Sequence, residues 1–218
     1  MAVRGWSPAS AGLILVPTNA GFGVGGLLVG WLHIRKTGSY YFSCIILFLL
    51  FAMATLGLSL LSTPDSPVAL YFATTFFDGL FAGALVNYTL SHVLHLTHVP
   101  THYIVTSLMA MSRGFAGSFG SAVGGGFFAR VLKASLERGF ATHGLPPQPE
   151  LVRKLLGSPA TVAKLTGSER VIAAESYEHA VRMLFLAGGV LALAATTIQA
   201  GTGWIRAGTD DKDDNEED

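Results

Sequence analysis

The sequence predicts an all-α integral membrane protein of about five transmembrane helices. Three observations carry this. Half of the 218 residues are apolar and only 13% are charged, against roughly 25% in soluble domains. Several apolar runs reach the roughly 20 residues that a spanning helix needs. Glycine is abundant, at 26 residues, which suits helices that approach one another closely in lipid.

The expected helices cover about 8–32, 41–61, 68–92, 103–128 and 183–204, within a membrane domain of residues 1–207. The first contains Pro17, which removes a backbone hydrogen bond and should kink or loosen it. It also carries Gly21/Gly25 and Gly26/Gly30, two pairs spaced by four that each lie on one face. Tight packing and the flexibility of a moving element explain such a helix equally well. The second is almost wholly apolar and holds Cys44, the single cysteine, which has no internal disulfide partner. The run Ser62-Thr63-Pro64-Asp65-Ser66-Pro67 has the chemistry of a turn between helices. Short connections imply antiparallel neighbours.

The third and fourth helices hold the ionisable residues. Asp78 and Arg113 each lie about ten residues into a helix, roughly 15 Å deep at 1.5 Å per residue. Consecutive antiparallel helices put both near one midplane. A charge inside a membrane is a candidate functional site. The two are expected either to pair along a polar cavity, with Asp78 coupling proton or cation movement, or to form a purely structural ion pair, or to face water separately. Asn87 and Thr74 could extend a polar stripe, or only bond to backbone. The fourth helix has three rows of small residues, Gly114/Ser118/Ala122/Gly126, Gly117/Ser121/Gly125 and Ala116/Gly120/Gly124. Glycine costs about 1 kcal/mol against alanine in a helix exposed to water, so a packing or sliding role is expected for Gly117, Gly120, Ser121 and Gly124.

The connection at 132–178 is polar and carries Pro146, Pro147 and Pro149. It reads as an exposed insert, with possible short helices at 150–156 and 168–180 and a weak amphipathic face of Leu151, Leu155 and Leu156. Residues 210–218 hold seven acids and one lysine, so 208–218 reads as a disordered acidic tail. The histidines His92, His95, His98 and His102 cluster at one membrane edge, but no acid or nucleophile accompanies them. Neither a metal site nor an enzyme is expected. Asn87-Tyr88-Thr89 fits a glycosylation pattern but lies within a membrane run. No cofactor and no nucleic-acid partner are expected.

The segment 26–41 resembles the loop signature of the major facilitator superfamily. Gly26 and Gly30 end a glycine-rich helix, the basic pair Arg35 and Lys36 follows, and Gly38 closes the motif. Gly30 stands where the stronger copy of the signature has an acid, a departure usual in the second half of that family. The segment 112–126, with Arg113 ahead of the glycines, is similar to the penultimate helix of fungal fourteen-helix drug:proton antiporters and of vacuolar basic amino acid permeases.

The resemblance implies that the five helices form a partial C-terminal half of that fold. The third helix would line the cavity, the first and fourth would rock against the other half, and the second and fifth would face lipid. Arg35, Lys36, the histidine edge and the C-terminus would be cytoplasmic, and the insert non-cytoplasmic. The implied activity is proton-coupled secondary transport of small solutes such as drugs or basic amino acids, in the plasma or vacuolar membrane. Its partners would be the lipid bilayer, solute, protons and a missing N-terminal half, since alternating access needs two halves. The chain as given is then expected to be incomplete. The alternative is a non-transporting membrane adaptor or a degenerate transporter fragment.

Overall fold

The computed structural model describes residues 3–33, 40–146 and 148–202, and among these there are helices and no strands. Helix α1 (Pro8–Gly12) is capped by the Ser7 hydroxyl, which accepts from the Ser10 amide at 3.2 Å. It is one turn long because of Pro17, whose ring has no N–H and collides with the carbonyl four residues back, that of Leu13. The chain therefore turns at Leu13 and Ile14 and restarts as α2 (Leu15–His33). The kink expected inside one helix is a break between two.

Helix α3 (Tyr41–Leu61) matches the second expected run, and α4 (Val68–His95) continues three residues past the third. The turn between them is fixed by side chains. The Ser62 hydroxyl donates to the Leu58 carbonyl at 2.6 Å, and that of Ser66 donates to Thr63 at 3.0 Å. A single 3-10 turn at Val99–Thr101 leads into α5 (His102–Thr142), which is 41 residues long. Helix α6 (Pro149–Gly157) and a second 3-10 turn at Pro159–Lys164 precede α7 (Gly167–Ala200), of 34 residues.

Among the described residues four helices, and not the expected five, are long and apolar enough to cross a membrane. They are α1 with α2 over Ala9–Leu32, then α3, α4 and α7. This marks the chain as a multi-pass membrane protein. Helix α5 has the length, but its glycines, serines and Arg113 dilute its apolar character. The loop signature residues Arg35, Lys36 and Gly38, and the acidic tail, lie outside the described residues.

In space the helices follow the order α2, α4, α3, α7, α5, each packed mainly on the next, and α5 touches α4 lightly. The α2–α4 contact is made by backbone and the α3–α7 contact by small residues. Gly189 of α7 leaves no room for a Cβ against the Leu56 side chain, and Ser59 of α3 donates to the Arg182 carbonyl at 2.8 Å.

The largest departure from expectation is at 132–178, where long helices and α6 build a packed core in place of an exposed insert. Helix α5 runs on past residue 128, and α7 begins sixteen residues before 183, so both helices project and pack together. Leu132, Leu136 and Phe140, spaced by four, make one face. Ile172, Ala173, Tyr177 and Ala180 make the facing one, and Val152, Leu155 and Val162 close the top. Leu136, Leu155, Ala173 and Ala180 are 0% exposed. The Tyr177 hydroxyl donates to the Leu155 carbonyl, so its buried polar end is satisfied. The expected short helix at 150–156 is α6, whereas 168–180 belongs to α7. We call this region the cap.

Candidate functional site

Helix α4 sits between α2 and α3 and turns a different face to each. Towards α2 it presents Gly79 and Gly83, and α2 presents Gly21 and Gly25. The two pairs interlock. A Cβ on Gly21 would stand 2.1 Å from the Phe76 carbonyl oxygen, and one on Gly25 would stand 2.1 Å from that of Leu80. Reciprocally, a Cβ on Gly79 would meet the Thr18 oxygen at 2.1 Å, and one on Gly83 the Phe22 oxygen at 2.0 Å. Backbone lies on backbone along two helical turns, the geometry in which Cα–H groups face carbonyl oxygens. Gly26 continues the seam, where a Cβ would meet the Asn87 amide nitrogen at 3.2 Å. Gly30 lies further along α2. The sequence signals Gly21 and Gly25, and it carries an equal signal in Gly79-Leu80-Phe81-Ala82-Gly83 that goes unread beside Asp78.

Towards α3, α4 presents Asp78. Its Oδ1 accepts from the Thr55 hydroxyl at 2.8 Å. Thr55 is itself buried, and its hydroxyl also lies 2.9 Å from the Phe51 carbonyl of its own helix. A threonine hydroxyl has one proton to give, so the two acceptors share it or alternate. The Thr55 methyl is close to α7, since a Cβ on Gly188 would meet it at 3.5 Å. Asp78 therefore sits halfway along α4 at the meeting of three membrane-length helices.

Asp78 and Arg113 do not pair. Arg113 Nη2 donates to the Val86 carbonyl at 2.7 Å. Among the described residues the only ion pair is Lys133–Glu137 at 3.9 Å, between exposed side chains. The reason is a matter of length. Measured from the connection the two helices share, Arg113 is level with Val86, because α4 extends to His95. Asp78 lies eight residues beyond, roughly 12 Å away along the axis. Counting each residue from the first residue of its own helix hides this offset. Thr74 and Asn87 bond backbone of their own helix, the Leu70 carbonyl at 2.8 Å and the Gly83 carbonyl at 3.0 Å. They do not extend a stripe of free polar groups from Asp78.

The small-residue rows of α5 are open. A Cβ at Gly114, Gly117, Gly120, Gly125 or Gly126 would meet nothing within 4 Å, and one at Gly124 would make ordinary contact with Leu184 at 3.9 Å. Ser121 is exposed, and its hydroxyl donates to the Ser118 carbonyl at 2.9 Å. Phe115 and Phe119 stack on each other at 5.4 Å and are likewise exposed.

Two of the edge histidines have hydrogen-bond partners. His92 is buried, with Nε2 3.2 Å from the Thr202 hydroxyl, whereas His102 Nε2 is 3.0 Å from the Thr97 carbonyl. No three His, Cys, Asp or Glu side chains converge to hold a metal among the described residues.

No protein-family model matches the chain, and neither a curated protein nor a solved structure matches it.

Proposed function

We propose that the chain is part of a proton-coupled secondary transporter of small solutes such as drugs or basic amino acids, in the plasma or vacuolar membrane. It works with a second half that supplies the other wall of the solute path. The resemblance of residues 26–41 and 112–126 to the major facilitator superfamily gives the class. Asp78 carries the reading. It is a carboxyl group midway along a membrane-length helix, where ionisable residues are costly and tend to line ion or substrate routes. Its partner across the helix contact is a hydroxyl and not a fixed cation.

The Asp78–Thr55 pair responds to a proton in a defined way. When Asp78 is ionised, it accepts a hydrogen bond from the Thr55 hydroxyl. When it is protonated, its own O–H donates to the Thr55 oxygen, and the Thr55 proton turns to the Phe51 carbonyl. One proton thus reverses the hydrogen bond between α3 and α4 and removes one charge from the centre of the bundle. The α2–α4 seam supports the same reading, because helices in backbone contact can shift with few interlocked side chains to break. The open face of α5 is where the other half packs, with Arg113 holding α5 to α4.

The test is proton-driven solute uptake by the protein assembled with the helices that complete it. Asp78→Asn keeps a similar shape and removes the titrating proton. It is expected to abolish coupled uptake with the protein level unchanged, and Thr55→Val to weaken it. Normal coupled uptake by Asp78→Asn would sink the proposal. The bare α5 face also favours a second reading, an adaptor that packs against another membrane protein. Stable co-purification with such a partner, without solute flux in any variant, would select it.

A further inference from the structure

A second candidate site lies away from Asp78, where the cap meets the transmembrane helices. Two adjoining cavities, each of about 350 Å³, share Val3, Arg4 and Trp6 as walls. That volume is within the range of small-molecule sites, about 300–1,000 Å³. One cavity is apolar and runs between Ile14, Phe128, Leu156 and Val181. The other opens beside the α3–α4 turn and has Arg170, from the first turn of α7, in its wall.

Arg4 is held in place. Its Nη2 donates to the Leu61 carbonyl at 3.1 Å and to the Ser66 hydroxyl. Its guanidinium lies over the rings of Tyr71 at 5.0 Å and Trp6 at 5.5 Å. The Nε and Nη1 hydrogens make no bond among the described residues, and a guanidinium has five N–H groups in all. Arg170 makes no hydrogen bond or ion pair among the described residues. The nearby acids do not neutralise the pair, because Glu169 accepts from Gln148 at 3.0 Å and Asp65 forms no ion pair with either arginine. Two unpaired cations thus share a cleft with an apolar cavity, at the level where polar cap gives way to membrane helix.

We propose that this cleft binds an anionic amphiphile. The acyl chain fills the apolar cavity, and the phosphate or carboxylate head sits between Arg4 and Arg170. A water-soluble anion leaves the apolar wall unused, and a neutral lipid leaves both arginines unused. Charge-assisted bonds from guanidinium to an oxyanion are among the strong ones. At about fivefold per arginine near a membrane surface, the pair contributes about thirtyfold in affinity.

Trp6 lines both cavities and reports on them directly. The full chain carrying Trp31→Phe and Trp204→Phe is placed in phosphatidylcholine nanodiscs with a minor component brominated on its acyl chain. That component is phosphatidylglycerol, a free fatty acid or phosphatidylcholine. The expected result is several-fold stronger quenching of Trp6 by an anionic component than by brominated phosphatidylcholine. Arg170→Gln is expected to weaken the anionic component about fivefold, and Arg170→Gln with Arg4→Gln to remove the excess. Phosphatidylglycerol ahead of fatty acid identifies a membrane lipid as the occupant, and the reverse order a free fatty acid. Equal quenching by anionic and neutral components overturns the proposal, as does an excess that Arg170→Gln leaves undiminished. Arg170 holds nothing in the fold, so that variant isolates binding from folding.

Discussion

Gly83→Leu is expected to separate α2 from α4. The Cβ alone would stand 2.0 Å from the Phe22 carbonyl oxygen, 2.8 Å from its carbon and 2.9 Å from its Cα. These are backbone atoms in the middle of a helix and cannot rotate aside. Overpacking in a core costs about 1–3 kcal/mol where side chains can shift. Here the whole of α2 must move, so the loss should reach about 3 kcal/mol or more. Even Gly83→Ala should be destabilising, because the clash is with the first added carbon. Gly23→Leu is the matched control, since a Cβ there meets nothing within 4 Å. It removes a helix glycine and should leave stability unchanged or raise it by up to about 1 kcal/mol. Unfolding followed by circular dichroism in detergent compares the two. Equal midpoints for Gly83→Leu and Gly23→Leu would show that α2 and α4 do not lie backbone to backbone.

Leu155→Ala is expected to open the cap and leave the transmembrane bundle intact. Leu155 and Leu136 are both 0% exposed and come from different helices, α6 and α5. Removing either side chain leaves a cavity in a small core, at a cost of about 2–5 kcal/mol. The effect should stay local, because the cap's buried cluster contains no residue of α2, α3 or α4. Hydrogen exchange should speed up over 130–142, 149–157 and 167–180, while α3 and α4 keep their protection. Faster exchange spread evenly through α3 and α4 would mean that cap and bundle fold as one unit.

Parts of this architecture were legible in the sequence and parts were not. Helix α3 was readable to the residue, since a uniformly apolar run from Tyr41 to Leu61 ends in a turn of proline and serine. The outer end of α5 is not legible, and that of α7 reads only as a separate short helix, because composition and periodicity disagree there. Polar residues such as Lys133, Glu137 and Arg138 lower the hydropathy, yet Leu132, Leu136 and Phe140 keep the helical spacing. In water that pattern is an ordinary amphipathic helix. The candidate site was half legible. Asp78 stood out as a charge in an apolar run, and Gly21 and Gly25 as a packing pair. The partner of Asp78 was not readable, because Thr55 is one of many hydroxyls in the bundle and only the packing of α3 on α4 selects it. The offset of Arg113 from Asp78 is hidden in the sequence, because depth counted from helix starts misleads when two neighbours differ in length. The glycines of α5 show that the helix can be approached from nearly every side, but a single chain's sequence does not say by what.

The long helices have a plain geometric consequence. At 1.5 Å per residue, the 34 residues of α7 extend about 51 Å, against a hydrocarbon thickness of about 30 Å. By length alone, α7 exceeds that thickness by about 20 Å, and the outer part of α5 packs beside it. That extra length is not bare helix but carries the folded cap, with a buried core of its own.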